Sequence, residues 1–425
     1  MRDDSYQTLR VNGDRLWRRL MEMARIGATP KGGVCRLTLS DEDKVGRDLF
    51  VRWCEEAGCS VGVDQIGNIF ARRSALESEE DEESSSVLVG SHLDSVPTGG
   101  KFDGPLGVLA GLEVVETLND HNIVTLTPVE IVSWTNEEGS RFVPALVGSG
   151  VFAGAFDLDY ALSVKDKSGL SFGAELERIS YSGAEKIGSR SFKATFEMHI
   201  EQGPILEQEG KTIGIVTAVQ GMRWYEVVLV GKEAHAGPTP MNYRKDPVKG
   251  LQFILQEIFA LADRHAPHGR ATFGDIKTEP GVTNTVPGRL IMKVDLRHPE
   301  ADALEAMDQA LRKIVQEACK AAGLSGQVYD IWQLPPVRFD PGCIESVRSA
   351  AEMLDTPAME MVSGAGHDAA YIARVAPTSM VFIPCEDGLS HNELENAAKS
   401  DVIAGANVLL HSVLAMCGLP PNFDE

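Results

Sequence analysis

The chain lacks the cysteine patterns that mark secreted and zinc-finger proteins. Its seven cysteines are an odd number, lie singly along the sequence and form no Cys-x-x-Cys pair. This pattern argues against a disulfide framework or a cysteine-based zinc site. It is typical of a reducing compartment, so we expect a cytoplasmic protein.

Positive charge and long apolar runs are also scarce. The 425 residues carry 40 lysines and arginines against 62 aspartates and glutamates, which gives a formal net charge of −22. A charge of this sign argues against nucleic acid or an anionic membrane surface as the main partner. No stretch approaches ~18–20 uninterrupted apolar residues, and no signal-type apolar core lies near the first residue, so we expect no membrane span.

Length and apolar content are sufficient for two or three domains. Apolar strands are predicted at 86–92 and 129–134 with a helix over 104–118 between them, an order that implies two parallel strands joined by a crossover. Further strands are predicted at 192–200 and 378–384. The acidic run at 77–86 predicts a solvated loop, because like charges repel and nothing in the run can be buried.

A different pattern occupies residues 218–332. It predicts strands at 224–230, 271–277, 289–297 and 327–332, and helices at 247–263 and 301–321. This β-α-β-β-α-β order is that of a ferredoxin-like unit. We therefore predict two domains: an α/β domain with a mixed sheet, formed by residues 1–217 and 333–425, and an inserted α+β domain at 218–332.

Five residues scattered along the chain are candidate ligands of one metal centre: His92, Asp103, Glu138, His199 and His391. Three of them fall at or just past the ends of predicted strands, and a fourth follows the last strand. Because sites in α/β sheets form at the carboxyl ends of strands, we expect these side chains to converge. Imidazole and carboxylate ligands suit zinc, manganese, cobalt or nickel, and five such groups suit two metals that share a carboxylate.

Carboxylates around these ligands have expected roles. Asp103 is the natural bridge, since flanking glycines let the backbone turn tightly around it. Asp94 is expected to accept the second ring N–H of His92 and so fix its tautomer. Of the pair Glu137 and Glu138, one would bind metal while the other would take a proton from water as a general base. An isolated Glu-Glu pair favours a solvated acidic turn, but its place directly after an apolar strand favours function.

Three residues of the inserted domain have ordinary structural explanations when each is taken alone. His235 lies in a loop rich in glycine and proline, and Asn284 lies in a Thr-Asn-Thr-Val-Pro-Gly stretch, both typical of turns. Arg297 ends a predicted strand, where a surface charge is common.

Taken together, these motifs resemble the M20-type metallohydrolases. More narrowly, they are similar to the hydantoinase/carbamoylase amidases, which include N-carbamoyl-L-amino acid hydrolases, β-ureidopropionases and allantoate amidohydrolases. The resemblance runs from about residue 10 to the C-terminus. Two features carry the narrower assignment: a histidine at 199, where related peptidases have a carboxylate, and the short gap between His92 and Asp103.

The resemblance implies a role for each matching ligand. His92 and His199 would hold one divalent metal ion, and Glu138 and His391 would hold the other, with Asp103 shared. Glu137, beside Glu138, would be the general base.

The resemblance also implies substrate contacts, from Gln202, His235, Asn284, Arg297 and Gly366. Arg297 would bind the substrate carboxylate, and His235 would stabilise the oxyanion. The inserted domain would act as a lid and form a homodimer, in which the equivalents of His235 and Asn284 reach the partner subunit's site.

The resulting hypothesis is hydrolysis of the carbamoyl group of N-carbamoyl-L-amino acids with two metal ions, giving the free amino acid, carbon dioxide and ammonia. Allantoate and N-carbamoyl-β-alanine present the same ureido and carboxylate groups and stay open as substrates. A metallopeptidase is disfavoured by His199 and by the short gap before Asp103, and a non-catalytic binding protein by the complete ligand set.

Overall fold

The computed structural model describes residues 5–76 and 85–420. Residues 77–84, most of the predicted acidic loop, lie outside the described residues. The chain divides into two compact units. We call Met1–Ala218 with Arg338–Glu425 the discontinuous unit, and Val219–Val337 the inserted unit.

The strands, in chain order, are β1 Ser60–Val63, β2 Ile69–Arg73, β3 Ser86–His92, β4 Val129–Trp134, β5 Phe192–Ile200, β6 Ile213–Val219, β7 Gly221–Val230, β8 Ala234–His235, β9 Arg270–Glu279, β10 Thr285–Val286, β11 Arg289–His298, β12 Ser325–Leu334, β13 Val337–Arg338, β14 Ala358–Ser363 and β15 Thr378–Ile383. The helices are α1 Gly13–Met23, α2 Asp41–Glu56, α3 Pro105–Asp120, α4 Val147–Phe152, α5 Leu158–Ser163, α6 Phe172–Arg178, α7 Ile205–Gln208, α8 Pro247–Arg264, α9 Ala301–Ala322, α10 Pro341–Met353, α11 Asp368–Ile372 and α12 Lys399–Cys417.

The larger sheet is mixed, as predicted. Its strands lie side by side in the order β1-β2-β4-β3-β5-β15-β6-β13, and β14 pairs with β6. Strand β3 is parallel to β4 and β5, and β5 is parallel to β15, while β2 and β6 run antiparallel beside them. The predicted parallel pair β3 and β4 with its crossover helix α3 is confirmed. The carboxyl ends of β4, β3, β5 and β15 therefore meet at one edge of the sheet.

Helices α3 and α12 bury apolar side chains against this sheet. Five apolar residues of α3 are buried: Leu106, Leu109, Leu112, Val115 and Leu118. Among the described residues, α12 is the one helix long and apolar enough to cross a membrane, with 61% of its apolar window buried inside the structure. Helix α12 packs on β5, β15 and α3, which is the position of a core helix.

The inserted unit has the predicted β-α-β-β-α-β order. Its antiparallel sheet runs β12-β7-β11-β9. Helices α8 and α9 supply Ile254, Ile258 and Leu311 to a core that alternate residues of β7 and β11 complete. Strand β12 continues to Leu334, past the predicted boundary at 332.

The chain enters and leaves the inserted unit at neighbouring strands of the larger sheet. Strand β6 ends at Val219, and β13 begins at Val337. These two strands are paired.

Candidate metal centre

The candidate ligands lie at the carboxyl edge of the parallel strands. His92 is the last residue of β3, and His199 is the second-last residue of β5. Glu138 follows β4, and His391 follows β15. The strand ends thus bring together residues that are far apart in sequence.

Asp103 reaches the centre from the loop before α3, and the next residue explains how. Gly104 has a φ of 82°, and a Cβ placed on it would lie 2.4 Å from Cε1 of His92. Only glycine fits both the backbone conformation and the space. The loop can therefore carry Asp103 directly against the histidine rings.

Asp103 lies between two groups of ligands. Its Oδ1 is 3.2 Å from Nε2 of His199 and 3.7 Å from Nε2 of His92. Its Oδ2 is 3.4 Å from Nε2 of His391, which is also 3.4 Å from Oε2 of Glu138. Within each group of three, the ligand atoms lie within 4.8 Å of one another. The structure thus places the five residues in the pairing that the resemblance implies.

The histidine tautomers suit metal binding. Nδ1 of His92 lies 2.9 Å from the carbonyl oxygen of Asp94, and Nδ1 of His199 lies 2.9 Å from the carbonyl oxygen of Ile200. Because a carbonyl only accepts, each Nδ1 carries the proton and donates it. Both Nε2 atoms, which face Asp103, are therefore left to bind a cation.

Charge also favours cations at this position. Burial, then the charge of Glu138, raises the pKa of Glu137 well above its usual value, and burial, then the charge of Asp103, does the same for Glu138. Among the described residues, the ion-pair partners of the two glutamates are histidines, His92 and His391. A divalent cation would supply the positive charge that these buried carboxylates need.

Asp103 favours positive charge at His199, supplied either by a proton or by a cation. Burial lowers the pKa of His199, but the hydrogen bond to Asp103 and its charge raise that pKa more strongly, to about 9. Burial raises the pKa of Asp103, but the hydrogen bond to His199 and the charge of His199 hold that pKa well below its usual value. Because metal binding needs the unprotonated Nε2, a cation would displace this proton.

Asp94 has a different contact from the one expected. The partner of the His92 ring is the main-chain carbonyl of Asp94, while its carboxylate oxygen Oδ1 is 3.7 Å from Nδ1. The carboxylate instead accepts hydrogen bonds from Thr38 Oγ1 at 2.5 Å and from the backbone N–H groups of Glu137 and Glu138 at 3.3 and 3.4 Å. The prediction that this carboxylate fixes the tautomer is wrong, and its contacts orient the Glu-Glu pair.

Gln202 and Gly366 are the predicted substrate contacts of the discontinuous unit. Gln202 Nε2 donates to Asp103 Oδ2 at 2.9 Å and to Ser390 Oγ at 3.1 Å, so it contacts the shared carboxylate. Gly366 is half-buried in the loop before α11.

The structure brings together two of the three predicted residues of the inserted unit. Strands β8 and β10 pair His235 with Thr285, and the Ala236 N–H donates to the Asn284 carbonyl at 2.9 Å. Both His235 and Asn284 are exposed. Arg297 lies on β11, half-buried, with Nη2 2.7 Å from Oδ2 of Asp295.

Sequence reasoning missed two buried carboxylates near the candidate ligands, Glu197 and Glu395. Glu197, His199 and His367 form a further group whose ligand atoms lie within 4.8 Å of one another. Glu197 accepts hydrogen bonds from Ser91 Oγ at 2.6 Å and from a backbone N–H at 3.0 Å. Burial, then the charge of Asp103, raises the pKa of Glu395 to about 8. The alternation of β5 could have placed Glu197 beside His199. No motif signals Glu395.

The chain has close relatives among known proteins. It matches the model of peptidase family M20/M25/M40 over residues 88–415. It is 48% identical over 405 residues to an N-carbamoyl-L-amino-acid amidohydrolase from Rhizobium meliloti, covering 95% of this chain and 96% of that protein. More distantly, it is 33% identical over 389 residues to the allantoate amidohydrolase of Bacillus subtilis, covering 91% and 93%. A crystal structure of a hydantoinase/carbamoylase family amidase from Burkholderia multivorans is 54% identical, with a TM-score of 0.90 over 97% of this chain and 100% of that chain.

Proposed function

Because the chain belongs to peptidase family M20/M25/M40, whose members hydrolyse amide bonds, we propose that it hydrolyses the carbamoyl group of N-carbamoyl-L-amino acids. The products are the free amino acid, carbon dioxide and ammonia. The observation that carries the proposal is the position of Asp103 between two groups of ligands, with Glu137 beside them, in a chain 48% identical to an enzyme named for this reaction.

The residues fit two divalent cations per subunit. His92, Asp103 and His199 would hold one, and Asp103, Glu138 and His391 the other. Nitrogen and oxygen donors without thiolate suit zinc, manganese, cobalt or nickel. Such cations, when bound, supply Lewis-acid stabilisation of negative charge and bring the pKa of a bound water toward ~7.

Glu137 is the proposed proton carrier. Its Oε2 lies 3.5 Å from Nε2 of His92, and its raised pKa suits a group that gains and loses a proton during each turnover. Glu137 takes a proton from the attacking water and returns it to the amino acid nitrogen as the carbon–nitrogen bond breaks. The carbamic acid that leaves then decomposes to carbon dioxide and ammonia.

Substrate recognition is proposed to involve the inserted unit. Arg297 would bind the substrate carboxylate in the bidentate manner that a guanidinium favours. Because Arg297 is paired with Asp295, substrate binding would exchange one anionic partner for another. His235 would donate to the oxyanion, and Asn284, Gln202 and Gly366 would line the remaining contacts.

A substrate panel with ammonia detection tests the proposal. N-carbamoyl-L-amino acids are expected to be the best substrates, and their D-enantiomers serve as matched controls. Allantoate is the second candidate, because the Bacillus subtilis relative is named for it. N-carbamoyl-β-alanine and dipeptides complete the panel. Release of amino acids from dipeptides alone would overturn the ureido assignment in favour of a metallopeptidase, and no turnover with any of them would favour a non-catalytic binding protein.

We further propose a cytoplasmic homodimer in which the inserted unit is both lid and dimerisation domain. Family resemblance supports this proposal. Light scattering after size-exclusion chromatography should give twice the chain mass of 46.0 kDa. A mass of one chain would contradict the dimer.

A further inference from the structure

Buried Glu395 connects two segments that supply candidate ligands from distant parts of the chain. Its Oε1 accepts hydrogen bonds from the backbone N–H groups of Phe102 at 3.0 Å and Asp103 at 3.1 Å, 293 and 292 residues away. Its Oε2 lies 3.3 Å from Ser390 Oγ, whose single proton has a second acceptor in Asp103 Oδ2 at 3.0 Å. Glu395 is 1% exposed, and it contacts both Asp103 and Ser390, the residue before His391.

The segment that carries His391 is a loop closed at its base. The Glu386 N–H donates to the Asn396 carbonyl at 2.8 Å, and Asn396 Nδ2 donates to Glu386 Oε2 at 2.9 Å. Near the middle, His391 has a φ of 52° and a side chain that is 54% exposed. Glu395 anchors this otherwise exposed part of the loop to the segment that carries Asp103.

Gly100 makes room for the anchor. A Cβ placed on Gly100 would lie 2.0 Å from both Cδ and Oε1 of Glu395. An alanine at 100 must therefore push the carboxylate away from the two N–H groups. The Cβ of Glu395 would also lie 2.4 Å away, so the backbone at Glu395 must shift together with the carboxylate.

We propose that Glu395 is a positioning residue that sets the separation of Asp103 and His391, and with it the affinity for the cation that Asp103, Glu138 and His391 would hold. This inference rests on the proposed two-metal function. Hydrogen-bond partners behind metal ligands typically change metal affinity by about 10–100-fold. The group of His92, Asp103 and His199 lacks the loop of His391, so its cation should be affected less.

The test is titration of the metal-free protein with cobalt(II), followed by calorimetry and by visible absorption. The wild type should bind two ions. Glu395→Ala and Gly100→Ala should weaken one of the two binding steps about 10–100-fold and change its absorption spectrum. Glu395→Gln should have a smaller effect, because its amide oxygen can still accept from both N–H groups. Leu394→Ala, whose side chain is 67% exposed on the same loop, is the control and should have no effect.

Wild-type affinities for both cobalt ions in Glu395→Ala and Gly100→Ala would overturn the proposal, and so would equal weakening of both steps. If Glu395→Ala fails to fold, the cobalt affinities of Gly100→Ala and Glu395→Gln are compared instead. Gly100→Ala should bind the affected ion more weakly than Glu395→Gln, and equal affinities would overturn the proposal. Failure of the wild type to bind two ions would instead overturn the two-metal function and this inference with it. If the wild type binds two ions but the variants do not behave as expected, only the role of Glu395 is overturned.

Discussion

The two units present their candidate functional residues in different ways. In the discontinuous unit, His92, Asp103 and His199 are at most 4% exposed, and hydrogen bonds fix both histidine rings. In the inserted unit, His235 and Asn284 are exposed on short strands and turns. Three of the five candidate ligands are thus buried at the end of the sheet, while His235 and Asn284 lie on a surface. Changes in the first should affect folding and chemistry together. Changes in the second should leave stability unaltered and affect substrate binding or, at His235, stabilisation of the oxyanion.

Metal removal should give the largest effect. A chelator should abolish turnover, and added zinc, manganese or cobalt should restore it. Metal removal should also lower the melting temperature. A ligand present at 100 times its Kd stabilises the folded state by about 2.7 kcal/mol, and this stabilisation is lost with the metal. The drop should be the same in an Arg297→Ala variant, since Arg297 lies in the other unit. Turnover that persists in metal-free protein would contradict the assignment of the chemistry to a metal centre in the discontinuous unit.

Loss of the proton carrier should come next. Glu137→Gln should reduce kcat by about 10²–10⁴-fold, the usual contribution of a general base, with two metal ions still bound. Turnover and metal content by elemental analysis check this expectation. Glu207→Gln, an exposed substitution of the same type on α7, is the matched control. Unchanged turnover in Glu137→Gln would remove the assignment of the base.

Substitution of Arg297 tests the proposed role of the inserted unit in substrate binding. Hydrogen bonds to charged groups are typically worth about 1.5–3 kcal/mol, so Arg297→Ala should lower kcat/KM by about 10–100-fold, mainly through KM. The melting temperature and the metal content should stay at wild-type values. Arg289→Ala, a more exposed arginine paired with Glu279 at the other end of β11, is the control. Normal kcat/KM in Arg297→Ala would argue against the carboxylate contact.

A smaller effect on kcat is expected from Thr38, which contacts Asp94 and not the candidate ligands. Thr38→Val removes the hydroxyl that donates to Asp94 at 2.5 Å, while nearly keeping the side-chain shape. Because the acceptor is a buried carboxylate, the loss of this hydrogen bond should lower the free energy of unfolding by about 1.5–3 kcal/mol. Because Asp94 orients Glu137 and Glu138, kcat should also fall, whereas KM should change little. An unaltered kcat with reduced stability would limit Asp94 to a structural role.

Much of the fold and the position of the ligands could be predicted from the sequence. Apolar runs located β3, β4 and β5 at their observed bounds, because strands buried on both faces leave continuous apolar segments. The candidate ligands His92, Glu138 and His199 followed from those strand ends. The order of elements in the inserted unit followed from alternating helical and strand periods.

The contacts around the ligands could not be predicted, because backbone groups make many of them. His92 binds the carbonyl of Asp94, and Glu395 accepts from the N–H groups of Phe102 and Asp103. Every residue has a carbonyl, and all but proline have an N–H, so no residue type marks these partners. The contact of Gln202 with Asp103 depends on a backbone φ of 59° at Gln202, which the sequence also does not signal.

The pairing of β6 with β13 has a consequence for how such enzymes can diversify. Since the chain departs and returns at adjacent strands, the whole segment Val219–Val337 behaves as a cassette with its two junctions side by side. A segment of different length or surface can be exchanged there without stretching any connection in the sheet that carries His92 and His199. Under the proposed division of roles, new substrates can be acquired by replacing one contiguous stretch of sequence while the chemistry is inherited unchanged.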